Sequence, residues 1–262
     1  SYTSLAAYKR CAYRFYVERV LGVPPLDGEP PSERPSGAGS AVLSPTERGT
    51  VVHALLERLD FRRPVTPGSA AIIAAAPRPP SAAELDAIAA LIDRFAASEL
   101  CARLGRATWV RREQRFGFPF DGALITGMLD VIAGEPAGRR LVVDYKTDRL
   151  DGTELVAVVN RDYATQQLIY ALAALTAGAS EVEVAHVFLE APEQPVTALF
   201  TAAQRGALEQ ALAGLTAGLL GEGSFPVSEQ PHRALCHGCP AEGGLCSWPL
   251  EMTRRGSPEQ LF

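Results

Sequence analysis

The chain has 262 residues, a hydrophobic content of 47% and a formal net charge of −5, which suits one large core with at most a small appendage. That acidic balance argues against a domain holding nucleic acid by bulk electrostatics alone, although arginines cluster locally at Arg10, Arg14 and Arg19 and at Arg111, Arg112 and Arg115. No apolar run approaches a membrane span, and the start, Ser1-Tyr2-Thr3-Ser4, lacks the basic and apolar regions of a signal peptide. The expectation is a cytoplasmic protein without a membrane partner, and a chain that begins at serine reads as a piece of something longer. Five cysteines in a reducing compartment more often bind metal than pair as disulfides.

The first predicted element is a helix over 4–20, capped by Ser4, with Leu5, Tyr8, Ala12 and Phe15 on the helical period. A loop rich in Pro, Gly and Ser runs from Pro24-Pro25 to Ser44-Pro45. A second helix covers 47–60, with Val52, Leu55, Leu56 and Leu59 as its core face and His53 and Glu57 at i,i+4 on another. The Pro/Ala-rich stretch from Arg62 to Pro80 reads as loose, and the helix after it, over 81–100, buries Leu85, Ile88, Leu91, Ile92 and Phe95.

Three strands follow at 107–118, 122–133 and 139–147, joined by short Gly-containing connections that suit antiparallel neighbours. A helix over 162–177 carries the core stripe Leu168, Ala171, Leu172 and Leu175 and a separate polar stripe of Tyr163, Gln166 and Tyr170. Strands at 182–190 and near 195–200 and a helix over 201–220 complete the globular part, with no internal repeat. From Phe225 onward proline, histidine and cysteine replace helical periodicity. The fold class expected is α/β: a mixed central sheet flanked by helices, with an N-terminal helical part and a C-terminal cysteine-rich tail.

Chemistry concentrates in Gly127-Met128-Leu129-Asp130 and Leu141-Val142-Val143-Asp144-Tyr145-Lys146-Thr147, read as two apolar strands each ending in a carboxylate. A strand sends residues i and i+2 to one face, so Asp144 and Lys146 project together while Val143 and Tyr145 point the other way. Two converging aspartates form a hard oxygen site for a divalent cation, and an adjacent ammonium can stabilise phosphoryl charge or orient a water. An isolated D-x-K also fits a solvated salt bridge at a strand end.

Only two of the 25 Lys and Arg residues are lysines, Lys9 and Lys146. A general need for positive charge would have been met by arginine, and a compact ammonium is not interchangeable with a guanidinium. His53, on a helix in Arg48-Gly49-Thr50-Val51-Val52-His53, is either structural or a third ligand that would leave open positions on Mg²⁺ or Mn²⁺; the Tyr145 carbonyl is a further oxygen on the strand. No G-x-x-x-x-G-K-[ST] occurs, so the chain is no P-loop motor.

Cys236-x2-Cys239-x6-Cys246 places three thiols in a Pro/Gly-rich loop, with a fourth ligand to come from elsewhere. An iron–sulfur cluster, a Cys3His zinc site using His232 or His237, and free structural cysteines are all open. Cys101 reads as a buried small residue.

Gly49-Thr50-x-x-His53, Gly127-x-x-Asp130, Asp144-Tyr145-Lys146-Thr147 and Gln166-x-x-x-Tyr170, in that order, resemble the motif series of the RecB-like PD-(D/E)XK nucleases. The opening 5–16 is similar to the start of such domains fused to UvrD-like helicases of the AddA, AddB and AdnAB kind. The resemblance spans nearly the whole chain apart from its Pro/Ala-rich insertions.

It implies a restriction-endonuclease-like core over 1–225, with the tail 226–262 packing back on the N-terminal helix. His53, Asp130, Asp144 and the Tyr145 carbonyl would bind the metal, Lys146 would be the catalytic lysine, and Gln166 with Tyr170 would organise the site or the DNA. It places Cys11, with Cys236, Cys239 and Cys246, around a [4Fe–4S] cluster, Zn²⁺ being the alternative. The activity implied is Mg²⁺- or Mn²⁺-dependent hydrolysis of DNA, single-stranded or at duplex ends, beside a helicase in the same polypeptide or complex and in double-strand break repair. A catalytically silent DNA-binding module and a free-standing CRISPR-adaptation-type exonuclease are the alternatives. Glu113, on the preceding strand, and Glu57 have no assigned role.

Overall fold

The computed structural model describes residues 2–26, 43–148, 150, 152, 154–221 and 225–256. Most of the loop expected between Pro24 and Pro45 therefore lies outside the described residues, as does the end of the tail. In chain order the elements are α1 (Tyr2–Arg10), α2 (Ala12–Phe15), α3 (Pro45–Glu57), α4 (Ser69–Ala75), α5 (Ala82–Ala96), α6 (Glu99–Gly105), β1 (Trp109–Phe120), β2 (Ala123–Gly134), β3 (Arg139–Lys146), α7 (Leu155–Val158), α8 (Ala164–Thr176), β4 (Glu181–Phe188), β5 (Val196–Thr201), α9 (Arg205–Leu220), α10 (Arg233–Cys236) and α11 (Leu250–Thr253). Single π-helical turns follow α2 at Tyr16–Val20 and α7 at Val159–Tyr163. None of the described helices is long and apolar enough to cross a membrane. The chain divides into two compact units, Ser1–Gly37 with Gln210–Phe262, and Ala38–Glu209.

In the larger unit, serine caps decide where helices start. The Ser44 hydroxyl accepts the Glu47 N–H while the Glu47 carboxylate accepts the Ser44 N–H, and Ser81 and Glu84 repeat the exchange at α5. Each such box satisfies two amides that the first helical turn leaves without partners. The helix expected over 81–100 is two helices, because the Ser98 side chain takes the Cys101 N–H and starts α6 in a new direction. Cys101 is fully buried, as expected of it.

The stretch from Arg62 to Pro80, expected to be loose, contains α4. Seven residues would not hold a helix alone. Ile72 buries all but 1% of its surface against α3 and α5, and burial of such a side chain contributes about 1.5–3 kcal/mol.

The five strands lie in the order β1-β2-β3-β4-β5. Neighbours are antiparallel except β3 and β4, which are parallel and joined by the crossover through α7 and α8. One face packs Val131, Ala133, Leu141, Val143, Tyr145, Ala185 and Val187 against α3, α5 and α6. The other packs Ile132, Val142, Val182 and Val184 against Tyr170, Ala171, Ala174 and Leu175 of α8. Alternation along β3 thus directs Asp144 and Lys146 toward α8 and Tyr145 away from it.

The smaller unit contains α1, α2, α10, α11 and Gln210–Leu220 of α9. The helix expected over 4–20 begins at Tyr2 and breaks at Cys11, whose backbone is extended (φ −159°, ψ 105°) and whose sulfur caps α2 by accepting the Arg14 N–H at 3.4 Å. Ser4 lies inside α1 and is no cap. Tyr16 stacks on Phe225 at 4.8 Å, the Tyr13 N–H donates to Pro226 O, and Arg14 Nη1 donates to the carbonyls of Leu235 and His237.

Candidate active site

The site forms where β2 and β3 part. Their pairing runs from Gly134↔Arg140 to Val131↔Val143 and stops, while β2 continues on β1 as far as Ala123. At the fork the Asp130 carboxylate replaces the missing ladder bond and accepts the Tyr145 N–H at 2.8 Å. Asp130 therefore sits inside β2, at the last point where that strand still reaches β3, and not at a strand end as expected. The Lys146 carbonyl accepts Leu189 N–H on the β4 side. Successive residues of a strand turn their amides to opposite edges, so the Tyr145 carbonyl faces the fork.

From α3, His53 Nδ1 comes to 3.6 Å from Asp130 Oδ1. Burial lowers the pKa of this imidazole, but the carboxylates around it, Asp130 first and then Asp144 and Glu113, together more than offset that and leave it raised. Gly49, one helical turn earlier, explains the helix's close approach: a Cβ there would lie 3.1 Å from Thr147 Oγ1, just beyond β3. Arg48 Nη2 donates to Thr147 O at 2.9 Å across the same gap. The second motif glycine, Gly127, seats the Phe116 ring, whose Cζ a Cβ would meet at 2.5 Å.

On the α8 side Asp144 is 3% exposed and surrounded by donors. Gln166 Nε2 donates to its Oδ1 at 2.8 Å and the Tyr170 hydroxyl at 3.2 Å, while Lys146 Nζ stands 2.7 Å from Oδ2 and donates to Gln166 Oε1 at 2.9 Å. Of the polar stripe expected here, Gln166 and Tyr170 are therefore buried, 6% and 5% exposed, while Tyr163 ends the preceding π-helical turn half-buried. Lys146 also lies 3.7 Å above the Tyr163 ring. Burial pushes the Asp144 carboxyl up, chiefly against the pull of Lys146. Asp144 Oδ2 is buried with no hydrogen-bond donor aligned on it, its ion pair with Lys146 notwithstanding.

Glu113, left without a role by the sequence, joins the cluster. Ligand atoms of His53, Glu113 and Asp130 lie within 4.8 Å of one another. An octahedral Mg²⁺ with bonds of about 2.1 Å sets its ligand atoms roughly 3–4.2 Å apart, so small side-chain adjustments would close these groups on one ion. The Glu113 backbone is left-handed (φ 46°) in mid-strand, a conformation that costs a non-glycine residue on the order of 1 kcal/mol or more. Burial and then the Asp130 charge raise its pKa. Glu57 is exposed and stands outside the group. The donors fit a hard divalent cation: a carboxylate pair at a fork, an imidazole, and a buried carboxylate oxygen that lacks an aligned donor.

His186, a register partner of Asp144 on β4, was not singled out by its sequence context. It is fully buried, neither ring nitrogen has a hydrogen-bond partner, and the ring stacks on Tyr163 at 5.6 Å. Burial, then Lys146, push its pKa down from 6.5 to about 3. Between those values the unfolded chain binds the proton and the folded one does not, so stability falls as pH drops through 6.5 toward 3. From pH 7 to pH 5 this group should cost about 2 kcal/mol. Urea titrations of wild type and His186→Phe at both pH values should show the variant escaping that loss. Equal losses in both proteins would contradict the assignment of a neutral buried imidazole.

In the smaller unit Cys11, Cys236, Cys239 and Cys246 line one small, mostly apolar pocket. Burial raises the thiols of Cys236 and Cys239, whose further influences include the other cysteines. Tetrahedral zinc holds sulfurs about 3.8 Å apart at bonds of about 2.3 Å, and no three of these sulfurs and histidine nitrogens lie within 4.8 Å of one another among the described residues. Neither His232 nor His237, the expected alternatives to Cys11, joins such a group among the described residues.

A family model of the PD-(D/E)XK nuclease superfamily matches residues 1–243, which take in the whole fork with Cys236 and Cys239 and end before Cys246. The chain belongs to that superfamily. Among solved structures it is similar to that of a candidate exonuclease from Eubacterium rectale, at 12% identity and TM-score 0.50, covering 94% of this chain and 89% of the other. A further match, SSO0001, has 15% identity and TM-score 0.30 and covers 84% and 87% of the two chains. At that identity the first likeness shows a shared fold and nothing finer. No curated protein matches.

Proposed function

We propose that this PD-(D/E)XK domain is a metal-dependent deoxyribonuclease that cuts single strands or trims DNA ends. The observation that carries this reading is the fork itself, where ligand atoms of His53, Glu113 and Asp130 lie within 4.8 Å of one another and the neighbouring strand β3 carries Asp144 beside a lysine held by three neighbours. His53, Asp130, Asp144 and the Tyr145 carbonyl would hold Mg²⁺ or Mn²⁺, with Glu113 as a further carboxylate. The ion, when bound, supplies Lewis-acid polarisation of the phosphate and a more acidic water. Lys146 then orients that water or offsets charge gathering on the phosphoryl oxygens. Gln166 and Tyr170 fix the Asp144 carboxylate and the lysine so that neither must reorganise during the reaction.

The test is cleavage of end-labelled single-stranded and duplex DNA. The reading expects degradation with Mg²⁺ or Mn²⁺ and none with EDTA; absence of cleavage under every divalent cation would sink it.

The same reading extends to context. Helicase-linked end processing in double-strand break repair is supported by the RecB-like order of the motifs. The four thiols around one pocket suit a [4Fe–4S] cluster, whose irons take one thiolate each and spread the sulfurs more widely than zinc does. Anaerobically purified protein should contain about four irons per chain and Cys11→Ser should lose most of them; stoichiometric zinc in their place would overturn the cluster.

A further inference from the structure

On the α8 face of the sheet, beside the edge strand β1, lies an open groove of about 620 Å³. Three arginines line it, Arg111, Arg115 and Arg140, and no carboxylate does. In a chain of net charge −5 such local segregation is informative. Arg112, which the sequence groups with Arg111 and Arg115, turns to the opposite face, where it lies over the Phe61 ring at 4.3 Å and donates to Leu59 O. The arginine run is thus divided between a structural residue and two that face solvent.

The floor of the groove is aromatic. Trp109 pairs directly with Gly134, and Phe116 with Gly127. Each ring lies where the cross-strand glycine leaves room, and a Cβ on either glycine would collide with it. Packing on backbone fixes the rings, so little conformational freedom remains to be lost when something settles on them. The guanidinium carbons of Arg111 and Arg140 stand 5.3 and 5.0 Å from the centre of the Trp109 ring, which pre-orients their donor forks.

The inner end of the groove reaches the catalytic fork. Phe116 meets the Tyr170 ring edge-on at 6.0 Å, and the Tyr170 hydroxyl donates to Asp144. Leu129 and Gln114, both in the lining, adjoin Asp130 and Glu113 in sequence.

We propose that this groove is the binding track for a single strand of DNA, its phosphates on Arg111, Arg115 and Arg140 and its unpaired bases against Trp109 and Phe116. Arginines that follow a backbone, interleaved with aromatic faces, are what single-strand binding uses, because only unpaired bases can stack on side chains. A duplex keeps its bases stacked on one another and would use the arginines alone. That the strand leads its scissile phosphate to the fork rests on the nuclease reading above; that the groove binds a single strand does not.

The experiment measures binding in EDTA, where cleavage cannot interfere. A fluorescent oligo-dT is titrated with wild type and with Arg111→Gln/Arg115→Gln/Arg140→Gln by anisotropy at several salt concentrations. The triple variant should bind at least tenfold more weakly, and the slope of log affinity against log salt should shrink by about 2, near 0.7 per lost phosphate contact. In a Trp248→Phe background, which leaves Trp109 as the reporter tryptophan, oligo-dT should quench the fluorescence.

Arg115→Lys tests the charge in a variant that keeps the fold, and should retain most of the affinity. Unchanged oligo-dT binding in a folded triple variant would overturn the proposal, as would hairpin duplex binding as tightly and losing as much. Loss of cleavage alone, with oligo-dT still bound through the groove, would fall on the nuclease reading and leave this inference standing.

Discussion

Lys146→Met should reduce DNA cleavage by about 10²- to 10⁴-fold, the range that a positioned proton-transfer or charge-stabilising group contributes. Nζ is held at 2.7 Å from Asp144 Oδ2, at 2.9 Å from Gln166 Oε1 and 3.7 Å above the Tyr163 ring, so methionine would keep the stem and lose only the ammonium. A second effect follows from the same contacts. Lys146 is the strongest influence lowering the Asp144 pKa against burial, so its removal leaves that carboxyl harder to ionise. A protonated Asp144 is a poor metal ligand; the variant should therefore need more cation and a higher pH as well as turning over slowly. Lys146→Arg should not rescue it, because the slot is almost closed to solvent, with 11% of the side chain exposed, and a planar guanidinium cannot take the place of a point charge. Cleavage within threefold of wild type in Lys146→Met would remove the lysine from the mechanism.

Asp130→Asn should cost at least a hundredfold in divalent-cation affinity, more than substitutions behind a ligand reach. Its amide oxygen can still accept the Tyr145 N–H, so the fork should persist while the charge is lost. His53 provides a reading independent of activity. Burial alone would lower its pKa, and the Asp130 carboxylate beside it is the foremost of the carboxylates that raise it. In the metal-free variant the His53 resonance should titrate at lower pH than in wild type. A His53 titration that does not move would show that the two side chains do not interact in solution, and the imidazole–carboxylate part of the site would fail with it.

Much of this architecture was legible because β-strand alternation is a local property. Leu141 to Lys146 could be assigned to faces from their order alone, and Asp144, Lys146 and Tyr145 point where period two sends them. The helical period likewise placed the starts of α3 and α5 within two residues, at 47 and 81 against Pro45 and Ala82.

What escaped depends on distant partners. Helix α4 exists because Ile72 finds a core, and nothing within its own seven residues says so. Cys11 breaks a helix that its neighbours' periodicity would have continued, and its sulfur then caps the next. Asp130 looked like a strand end because only the β2–β3 ladder stops near it, while β2 itself runs on along β1. Glu113 reaches the cluster through a left-handed backbone that no side-chain pattern announces. His186 lies in an ordinary apolar strand until β3 is placed beside it. The groove arginines could be seen as a cluster, but their division between two faces could not.

The central claim, that the fork holds a divalent cation used for cleavage, is tested most directly by titrating Mn²⁺ into the protein and into Asp130→Asn. Binding is followed by electron paramagnetic resonance, and cleavage of end-labelled single-stranded DNA is measured over the same concentrations. The structure predicts a saturable site in wild type, loss of that site in the variant, and cleavage that rises with occupancy. Mn²⁺ bound equally well by both proteins, or cleavage that ignores occupancy, would contradict it.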